Sequence, residues 1–344
     1  MDKKKKNLPA IILLVLLVLV LTIVVLFAIK GKAISSSTEL GHNIEETPQA
    51  TEMWQEGGVK KNRTDGKYYK FNNKIHTYLI MGIDKEGPVA DEVVEGTSNG
   101  GQSDAMFLLV TNSEDETMSV ISINRNSMTD ITRYGEGGLE LGKIKAQICI
   151  QHGFGDGKKL SCSRTADAVS NLFYGIPIDG YLSINMGAIP IMNDAIGGTE
   201  VTVLNNLSYP NVNLKKGETV NLMGMEAYYY LRGRDTSEFD SATDRLRRQE
   251  QYITSYFAKM KEIAGGSKSK VLEVYTSIED YIVTNIDFVD LVSELMSYEY
   301  DKSRMYTVPG ETIKGEVFEE YHVDDDALYD MVFDVFYNEV KENQ

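Results

Sequence analysis

The chain has few cysteines, histidines and tryptophans, which limits the kinds of site that it can form. Its 344 residues include two cysteines, four histidines and one tryptophan. The histidines are not spaced as metal ligands, which argues against a zinc site. The two cysteines, Cys149 and Cys162, are thirteen positions apart. They could form one disulfide if this part of the chain lies outside the cell, or be buried as small apolar residues, and the sequence leaves both open.

Two common catalytic motifs are also missing. The sequence contains neither the G-x-S-x-G motif of serine hydrolases nor the phosphate-binding Walker loop of nucleotide hydrolases. A glycine-rich segment at 153–157, "GFGDG", stands alone and is interpreted as a turn.

Basic residues are fewer than acidic ones across the whole chain. There are 51 acidic against 35 Lys and Arg residues, giving a formal net charge of −16. A body this acidic does not attract nucleic acid or an anionic membrane surface through its overall charge. We therefore expect no nucleic-acid partner, and any bound anion must be held by a local basic cluster.

The N-terminal part has the pattern of a membrane anchor. Residues 1–7 carry four consecutive lysines, and residues 8–29 form an uncharged apolar run. As a helix this run reaches about 33 Å, enough to cross a bilayer. It is too long for a typical signal peptide, the alternative interpretation, and lacks an obvious cleavage site. The lysines predict a cytoplasmic N-terminus, an extracellular polar stalk over 30–73, and an extracytoplasmic domain over 74–344.

Strand and helix patterns alternate over the remaining chain. Short apolar runs predict strands at 77–83, 105–111, 118–124, 181–185 and 200–204. Helical spacing predicts helices at 164–175, 186–198, 222–234, from Ser241 or Thr243 onward, 288–298 and 325–340. This mixture predicts one α/β domain with a central mixed sheet covered by helices.

Three charged residues stand at predicted strand ends. If the strands 105–111 and 118–124 form a hairpin, Asp104 and Arg125 meet at one edge of the sheet. Asp84 reaches the same edge if its strand runs parallel to 118–124. Two converging carboxylates are costly unless a cation balances them, and Mg²⁺ suits carboxylates together with substrate phosphates. The alternative is that both aspartates are ordinary turn residues.

A cluster of five arginines lies within residues 232–248. Arg232 and Arg234 stand at a predicted helix end, while Arg245 and Gln249 share one face of the next helix at i, i+4 spacing. Guanidinium groups beside a helix N-terminus form a cradle for phosphate or pyrophosphate. The alternative is a solvated face whose arginines pair with nearby acids.

The remaining two arginines of the cluster, Arg247 and Arg248, point away from that shared face. We expect both to lie at the surface and to pair with Glu250 or Asp244.

Seven segments together resemble the LytR–CpsA–Psr family over about residues 74–340. They are "YLIMGID", "QSDAMFLLVT", "SVISINRNS", "GKIKAQ", "GIPIDGYLSINMGAIPIMNDAIGGTEV", "LMGMEAYYYLRGRD" and "DRLRRQEQ". The resemblance implies a single-pass, membrane-anchored transferase outside the cell of a Gram-positive-type bacterium. Such an enzyme moves a glycopolymer, teichoic acid or capsule, from a polyprenyl-pyrophosphate carrier to peptidoglycan, using Mg²⁺ (or Mn²⁺).

The resemblance also implies roles for individual residues. Asp84 and Asp104 match the metal-binding aspartates and, with Arg125, the catalytic set. The residues that match those holding the pyrophosphate are Lys143, Arg232, Arg234, Arg245 and Gln249, together with Arg125.

The chain departs from the family pattern at two of these segments. Where the family usually has Pro-Arg-Asp, this chain has Asn124-Arg125-Asn126, and Gln102 replaces a common arginine. Two other functions stay open, and the missing carboxylate at Asn126 keeps the first of them open. One is a module that binds polyprenyl lipid or wall polymer without turnover, and the other is a metal-dependent pyrophosphatase.

Overall fold

A computed structural model describes residues 58–89, 100–234, 239–266, 273–274, 276–286, 299–315 and 318–342. The apolar run at 8–29 and the helix predicted at 288–298 lie outside these residues. Within them, no helix combines the length and the apolar character needed to cross a membrane.

The described residues form strands and α-helices. The strands are β1 (Val59–Lys61), β2 (Tyr68–Phe71), β3 (Ile75–Ile83), β4 (Ser103–Asn112), β5 (Thr117–Ile123), β6 (Met128–Tyr134), β7 (Glu140–Gln147), β8 (Gly180–Asn185), β9 (Thr199–Thr202), β10 (Leu207–Tyr209), β11 (Val212–Leu214), β12 (Thr219–Leu222), β13 (Ile282–Thr284), β14 (Glu299–Thr307), β15 (Gly310–Lys314), β16 (Glu319–Val323) and β17 (Tyr337–Val340). The α-helices are α1 (Lys159–Leu172), α2 (Ala188–Ala195), α3 (Met225–Arg232), α4 (Ser241–Gly266) and α5 (Asp325–Phe336).

The largest described sheet has the strand order β13-β8-β3-β4-β5-β14. β4 runs antiparallel to both β3 and β5, so β3 and β5 point the same way. The pairs β3–β8 and β5–β14 are parallel. The predicted central mixed sheet of an α/β domain is therefore confirmed.

One face of this sheet is buried, and alternate residues of the central strands point into the core on that side. Leu79, Met81 and Ile83 of β3 are at most 1% exposed and share a core with Val169 of α1 and Phe336 of α5. Successive residues of a strand point to opposite faces, so residues at i, i+2 and i+4 pack together against the helices. A second core joins α2, α3 and α4 and includes several buried tyrosines.

Two boundary predictions are wrong. The expected stalk over 30–73 contains β1 and β2, and β2 pairs antiparallel with β17. The same pairing ends the helix predicted over 325–340 at Phe336, because the chain then continues as β17. Long-range strand pairing decides both boundaries, and local periodicity does not record it.

The two cysteines are buried and free, so the disulfide alternative is wrong and the buried alternative is confirmed. Burial raises the pKa of the Cys149 thiol to about 11 and that of Cys162 to about 12. Both are therefore neutral thiols at pH 7.

A buried histidine makes the stability of the fold depend on pH. His152 is fully buried with its Nδ1 3.1 Å from the carbonyl oxygen of Gly101. Burial lowers its pKa to about 4. The unfolded imidazole titrates near its ordinary pKa of about 6.5. Between these two values the unfolded chain binds a proton that the folded chain does not, so stability falls as pH falls from 6.5 towards 4.

The free energy of unfolding of the wild type should be larger at pH 7 than at pH 4, in part because of His152. We expect His152→Gln to make this difference smaller by about 3 kcal/mol. Urea unfolding at the two pH values measures this difference for the wild type and the variant. His76→Gln, at a partly exposed histidine, is the control and should keep most of the wild-type difference. An unchanged difference in His152→Gln would show that His152 does not titrate as described.

Candidate active site

Three strand ends bring charged side chains to one edge of the central sheet. Asp84 directly follows β3, Asp104 is the second residue of β4, and Arg125 follows the end of β5. The antiparallel β4 between two like-directed strands brings these ends together, as the strand pattern predicts. All three line one pocket of about 310 Å³.

The pocket is positively charged within an acidic chain. Its lining comprises Asp84, Gln102, Asp104, Arg125, Tyr209, Tyr229, Arg232, Gly233, Arg234 and Arg245. Four arginines face two aspartates, which gives a local surplus of positive charge although the chain as a whole is at −16. This is the local basic cluster that binding of an anion requires.

Asp104 lies between two arginines and pairs with both. Its Oδ1 is 2.9 Å from Arg125 Nε, and its Oδ2 accepts a hydrogen bond of 2.9 Å from Arg245 Nη1. The side chains of Asp104 and Arg245 are only 10% and 4% exposed. Burial lowers the pKa of Arg245 to about 10, so it remains charged at pH 7. The shared carboxylate offsets the cost of burying two cations.

Two donors of these arginines have no acceptor. Arg245 Nη2 is buried without a hydrogen-bond partner among the described residues, and Arg125 Nε approaches Asp104 without a well-aligned hydrogen bond. A buried donor left without an acceptor costs about 1–3 kcal/mol. Arg125 Nε stays against Asp104. Because Arg245 lines the pocket, an oxygen of a bound anion would supply the acceptor that its Nη2 lacks.

Asp84 is held by the backbone that precedes β4. Its Oδ1 accepts a hydrogen bond of 2.7 Å from the amide of Gln102, and its own amide donates to the Gln102 carbonyl at 3.0 Å. Gly101 makes this approach possible, since its φ is +83° and a Cβ there would lie 2.9 Å from Asp84 Oδ1. A side chain at position 101 would thus displace the Asp84 carboxylate.

The carboxylates of the pocket fit a metal that is held partly by substrate. Among the described residues no group of three or more His, Cys, Asp and Glu side chains could form an all-protein metal site. Asp84 and Asp104 both line the pocket. Mg²⁺ commonly binds one or two carboxylates and completes its coordination with water and substrate phosphates. The donor set agrees with that mode.

Arg232 and Arg234 reach the pocket from the C-terminal end of α3. Gly233 lies between them, and a Cβ there would lie 2.5 Å from the Tyr229 carbonyl oxygen. Arg232 Nη1 is 3.7 Å from Glu86 Oε1, and Arg234 Nη1 is 3.8 Å from an oxygen of Glu319. These separations are too long for direct hydrogen bonds. The acids therefore leave both guanidinium groups able to bind a stronger acceptor.

The expectation of a surface position is wrong for Arg248. Its side chain is buried, and its three nitrogens donate to the carbonyl oxygens of Tyr230 (2.9 Å) and Gly233 and to Asn205 Oδ1 (3.0 Å). The last carbonyls of a helix have no partner inside the helix. Arg248 thus caps α3 and fixes the Arg232–Arg234 turn. Arg247 is exposed and lies 3.2 Å from Asp244, as expected.

Two residues of the expected pyrophosphate-binding set lie outside the pocket lining. Gln249 is buried, and its Nε2 donates to the Leu231 carbonyl at 3.2 Å, so it also caps the end of α3. Lys143 is exposed on β7 and pairs with Thr132 of β6. The structure brings together the other six predicted residues: Asp84, Asp104, Arg125, Arg232, Arg234 and Arg245.

Four lining residues were not predicted to belong to the site. Tyr209 and Tyr229 are stacked, with ring centroids 4.4 Å apart and planes inclined by 7°. Gln102 and Gly233 complete the set. Tyr229, Gly233 and Gln102 lie within three positions of predicted site residues in the sequence, and this proximity is the signal that could have identified them. Tyr209 comes from the separate strand β10 and has no such signal.

Arg248 and Arg247 should differ sharply when each is replaced by alanine. Arg248→Ala leaves two buried carbonyls and an amide oxygen without a donor, so we expect a loss of about 3 kcal/mol or more in the free energy of unfolding. Arg247→Ala, the matched control, removes one exposed ion pair and should cost less than about 1 kcal/mol. Denaturant unfolding measures both, and equal losses would contradict the capping role.

Comparison with known proteins gives consistent matches. The chain is 25% identical over 331 residues to a polyisoprenyl-teichoic acid–peptidoglycan teichoic acid transferase, TagU, of Bacillus licheniformis, covering 96% of this chain and 94% of that protein. The crystal structure of Bacillus subtilis TagV matches with a TM-score of 0.55 at 19% identity, over 76% of this chain and 96% of that one.

A structure described as TagT bound to LI-WTA matches with a TM-score of 0.52 at 20% identity, over 76% of this chain and 90% of that one. At these identities the structural matches establish a shared fold. The model of the LytR_cpsA_psr family matches residues 38–333, most of the sequence. The chain therefore belongs to the LytR_cpsA_psr family.

Proposed function

We propose that this chain is a membrane-anchored transferase that moves a glycopolymer from a polyprenyl-pyrophosphate carrier to peptidoglycan. The observation that supports it most is the convergence of four arginines, with unpaired buried donors, on one pocket of an acidic protein. Its relative from Bacillus licheniformis carries the name of such a transferase for teichoic acid. Teichoic acid or a capsular polymer is the proposed cargo.

The pyrophosphate of the donor would lie among the arginines. Arg232 and Arg234 approach from the end of α3, and Arg125 and Arg245 approach from the sheet edge and α4. Planar guanidinium groups donate two parallel hydrogen bonds to a phosphate, and these charge-assisted bonds are stronger than neutral ones. The donor would thus supply the acceptors that Arg245 Nη2 lacks.

The proposed reaction is a phosphoryl-type transfer at the sugar-proximal phosphorus. A hydroxyl of peptidoglycan attacks this phosphorus and forms a new P–O bond. The bond to the bridging oxygen breaks, and polyprenyl phosphate leaves with the electron pair while the hydroxyl proton passes to water. Negative charge grows on the phosphoryl and leaving oxygens, where the arginines are already placed to stabilise it.

Asp84 and Asp104 are the residues that would hold the metal. A bound Mg²⁺ (or Mn²⁺) would add positive charge next to the phosphoryl oxygens. The arginine pairs of Asp104 keep that carboxylate in a fixed orientation at the pocket wall.

The N-terminal residues support a membrane location. The apolar run at 8–29 follows four lysines, which is the pattern of a single span with a cytoplasmic N-terminus. The described domain would then lie outside the cell, beside the lipid carrier and the wall.

The test is transfer from a polyprenyl-pyrophosphate-linked glycopolymer to peptidoglycan by the full chain in detergent micelles with Mg²⁺. We expect Arg232→Ala and Arg234→Ala each to weaken donor binding roughly ten- to hundredfold, the contribution of one charge-assisted contact. Arg→Lys at either position should fail nearly as badly, because an ammonium cannot make the two-point contact.

The matched control is Arg247→Ala, which removes an arginine of the same segment outside the pocket. It should leave both donor binding and transfer near wild type. If all three alanine variants weaken binding equally and salt erases the loss, the arginines act as a diffuse basic patch and the pocket assignment is wrong.

A second candidate is a module that binds the lipid carrier or wall polymer without turnover. It is favoured by Asn126, whose buried amide stands where the family usually has a carboxylate. Tight donor binding with no transfer product would support this candidate. Release of polymer phosphate without any acceptor would instead indicate a pyrophosphatase.

A further inference from the structure

We propose that Gln102 is a positioning residue of this site, which orients the guanidinium of Arg125 towards the bound pyrophosphate without neutralising its charge. This inference rests on the proposed function, because it assumes a pyrophosphate ligand in the pocket. Gln102 lines the pocket together with Arg125 and Asp84 and lies in the chain between Gly101 and β4.

The backbone of Gln102 is fixed from two directions. Its amide donates to Asp84 Oδ1 at 2.7 Å, and its carbonyl accepts from the Asp84 amide at 3.0 Å. The residue that follows, Ser103, is fully buried and begins β4. The Cα of Gln102 therefore has a defined place at the sheet edge, so its side chain starts from a rigid base.

The side chain of Gln102 contacts Arg125 directly. Its Oε1 accepts a hydrogen bond from Arg125 Nη2. Because an arginine has only donors, the amide oxygen must face it, and this fixes the orientation of the amide. The thiol of Cys149 also lies 3.7 Å from the same oxygen and 2.9 Å from Arg125 Nη2.

Within the part of the chain that the structure describes, two nitrogens of the Arg125 guanidinium contact neighbouring side chains, and the third does not. Asp104 lies against Nε and Gln102 holds Nη2. Among the described residues none accepts a hydrogen bond from Nη1, and Arg125 lines the pocket. The two held nitrogens fix the plane of the group, so Nη1 is the nitrogen left for a phosphate oxygen.

The residues around Arg125 Nη2 are neutral, so they orient the guanidinium without reducing its attraction for an anion. Cys149 is a neutral thiol at pH 7, because burial raises its pKa to about 11. An amide and a thiol orient Arg125 but leave its positive charge uncompensated on that side. A carboxylate at position 102 would orient Arg125 equally well and would also cancel charge that the pyrophosphate needs.

The experiment is a double-mutant cycle on the affinity of the full chain for farnesyl pyrophosphate, measured by calorimetry. Gln102→Met keeps the side-chain length but removes the acceptor, and we expect affinity to fall roughly tenfold. The same substitution in an Arg125→Ala background should have no further effect, because Gln102 acts through Arg125. Thermal unfolding of each variant verifies that the comparison is between folded proteins.

A charge variant separates orientation from electrostatics. Gln102→Glu retains an acceptor but adds a negative charge to the pocket, so it should also weaken binding. That loss should shrink at about 1 M salt, where the Debye length is about 3 Å, more than the loss from Gln102→Met does. Gln251→Met, at a glutamine of α4 outside the pocket, is the matched control and should bind as wild type.

The outcomes distinguish the role of Gln102 from the proposed transferase function. Equal losses from Gln102→Met in the wild-type and Arg125→Ala backgrounds, or no loss in either, would overturn the positioning role and leave the proposed function standing. A wild-type chain that binds farnesyl pyrophosphate with the expected coupling but transfers no polymer would retain the role of Gln102 and overturn the transferase. A wild-type chain that does not bind it would overturn both.

Discussion

The double ion pair of Asp104 is the interaction on which the site depends. Arg125 and Arg245 are largely buried and lie close enough to share one carboxylate, with contacts of 2.9 Å on each side. Without it, two guanidinium groups would face each other away from water, which is unfavourable both by repulsion and by desolvation. The same carboxylate joins the edge of the central sheet to α4, so it holds the sheet and the helix in the geometry that forms the pocket.

A second layer of contacts keeps the other two arginines in place. The end of α3 leaves carbonyl oxygens without helical partners, and Arg248 and Gln249 of α4 donate to them. One helix therefore presents Arg245 to the pocket and uses its next turn to fix the segment that carries Arg232 and Arg234. An arginine outside the pocket can thus be as necessary to the site as those that line it.

The positions of the strand ends could be predicted from the sequence, but the packing between the helices could not. Asp84, Asp104 and Arg125 were predictable because strand length, a short turn and alternation define which residues meet at an edge. The buried position of Arg248 was not predictable, because i, i+4 spacing shows which residues share a face of a helix but not which face packs against α3. The strand ends alone predict a metal as the cation that balances the two carboxylates, whereas Arg245 from a distant segment supplies part of that positive charge at Asp104.

We infer that a local arginine pocket captures pyrophosphate in a protein whose overall charge repels anions. A crystal structure with bound farnesyl pyrophosphate tests this most directly. We expect phosphate oxygens within hydrogen-bond distance of Arg245 Nη2 and of the guanidinium groups of Arg232 and Arg234. A pyrophosphate bound elsewhere, for example on the β6–β7 hairpin beside the exposed Lys143, with the arginine pocket unchanged, would contradict it.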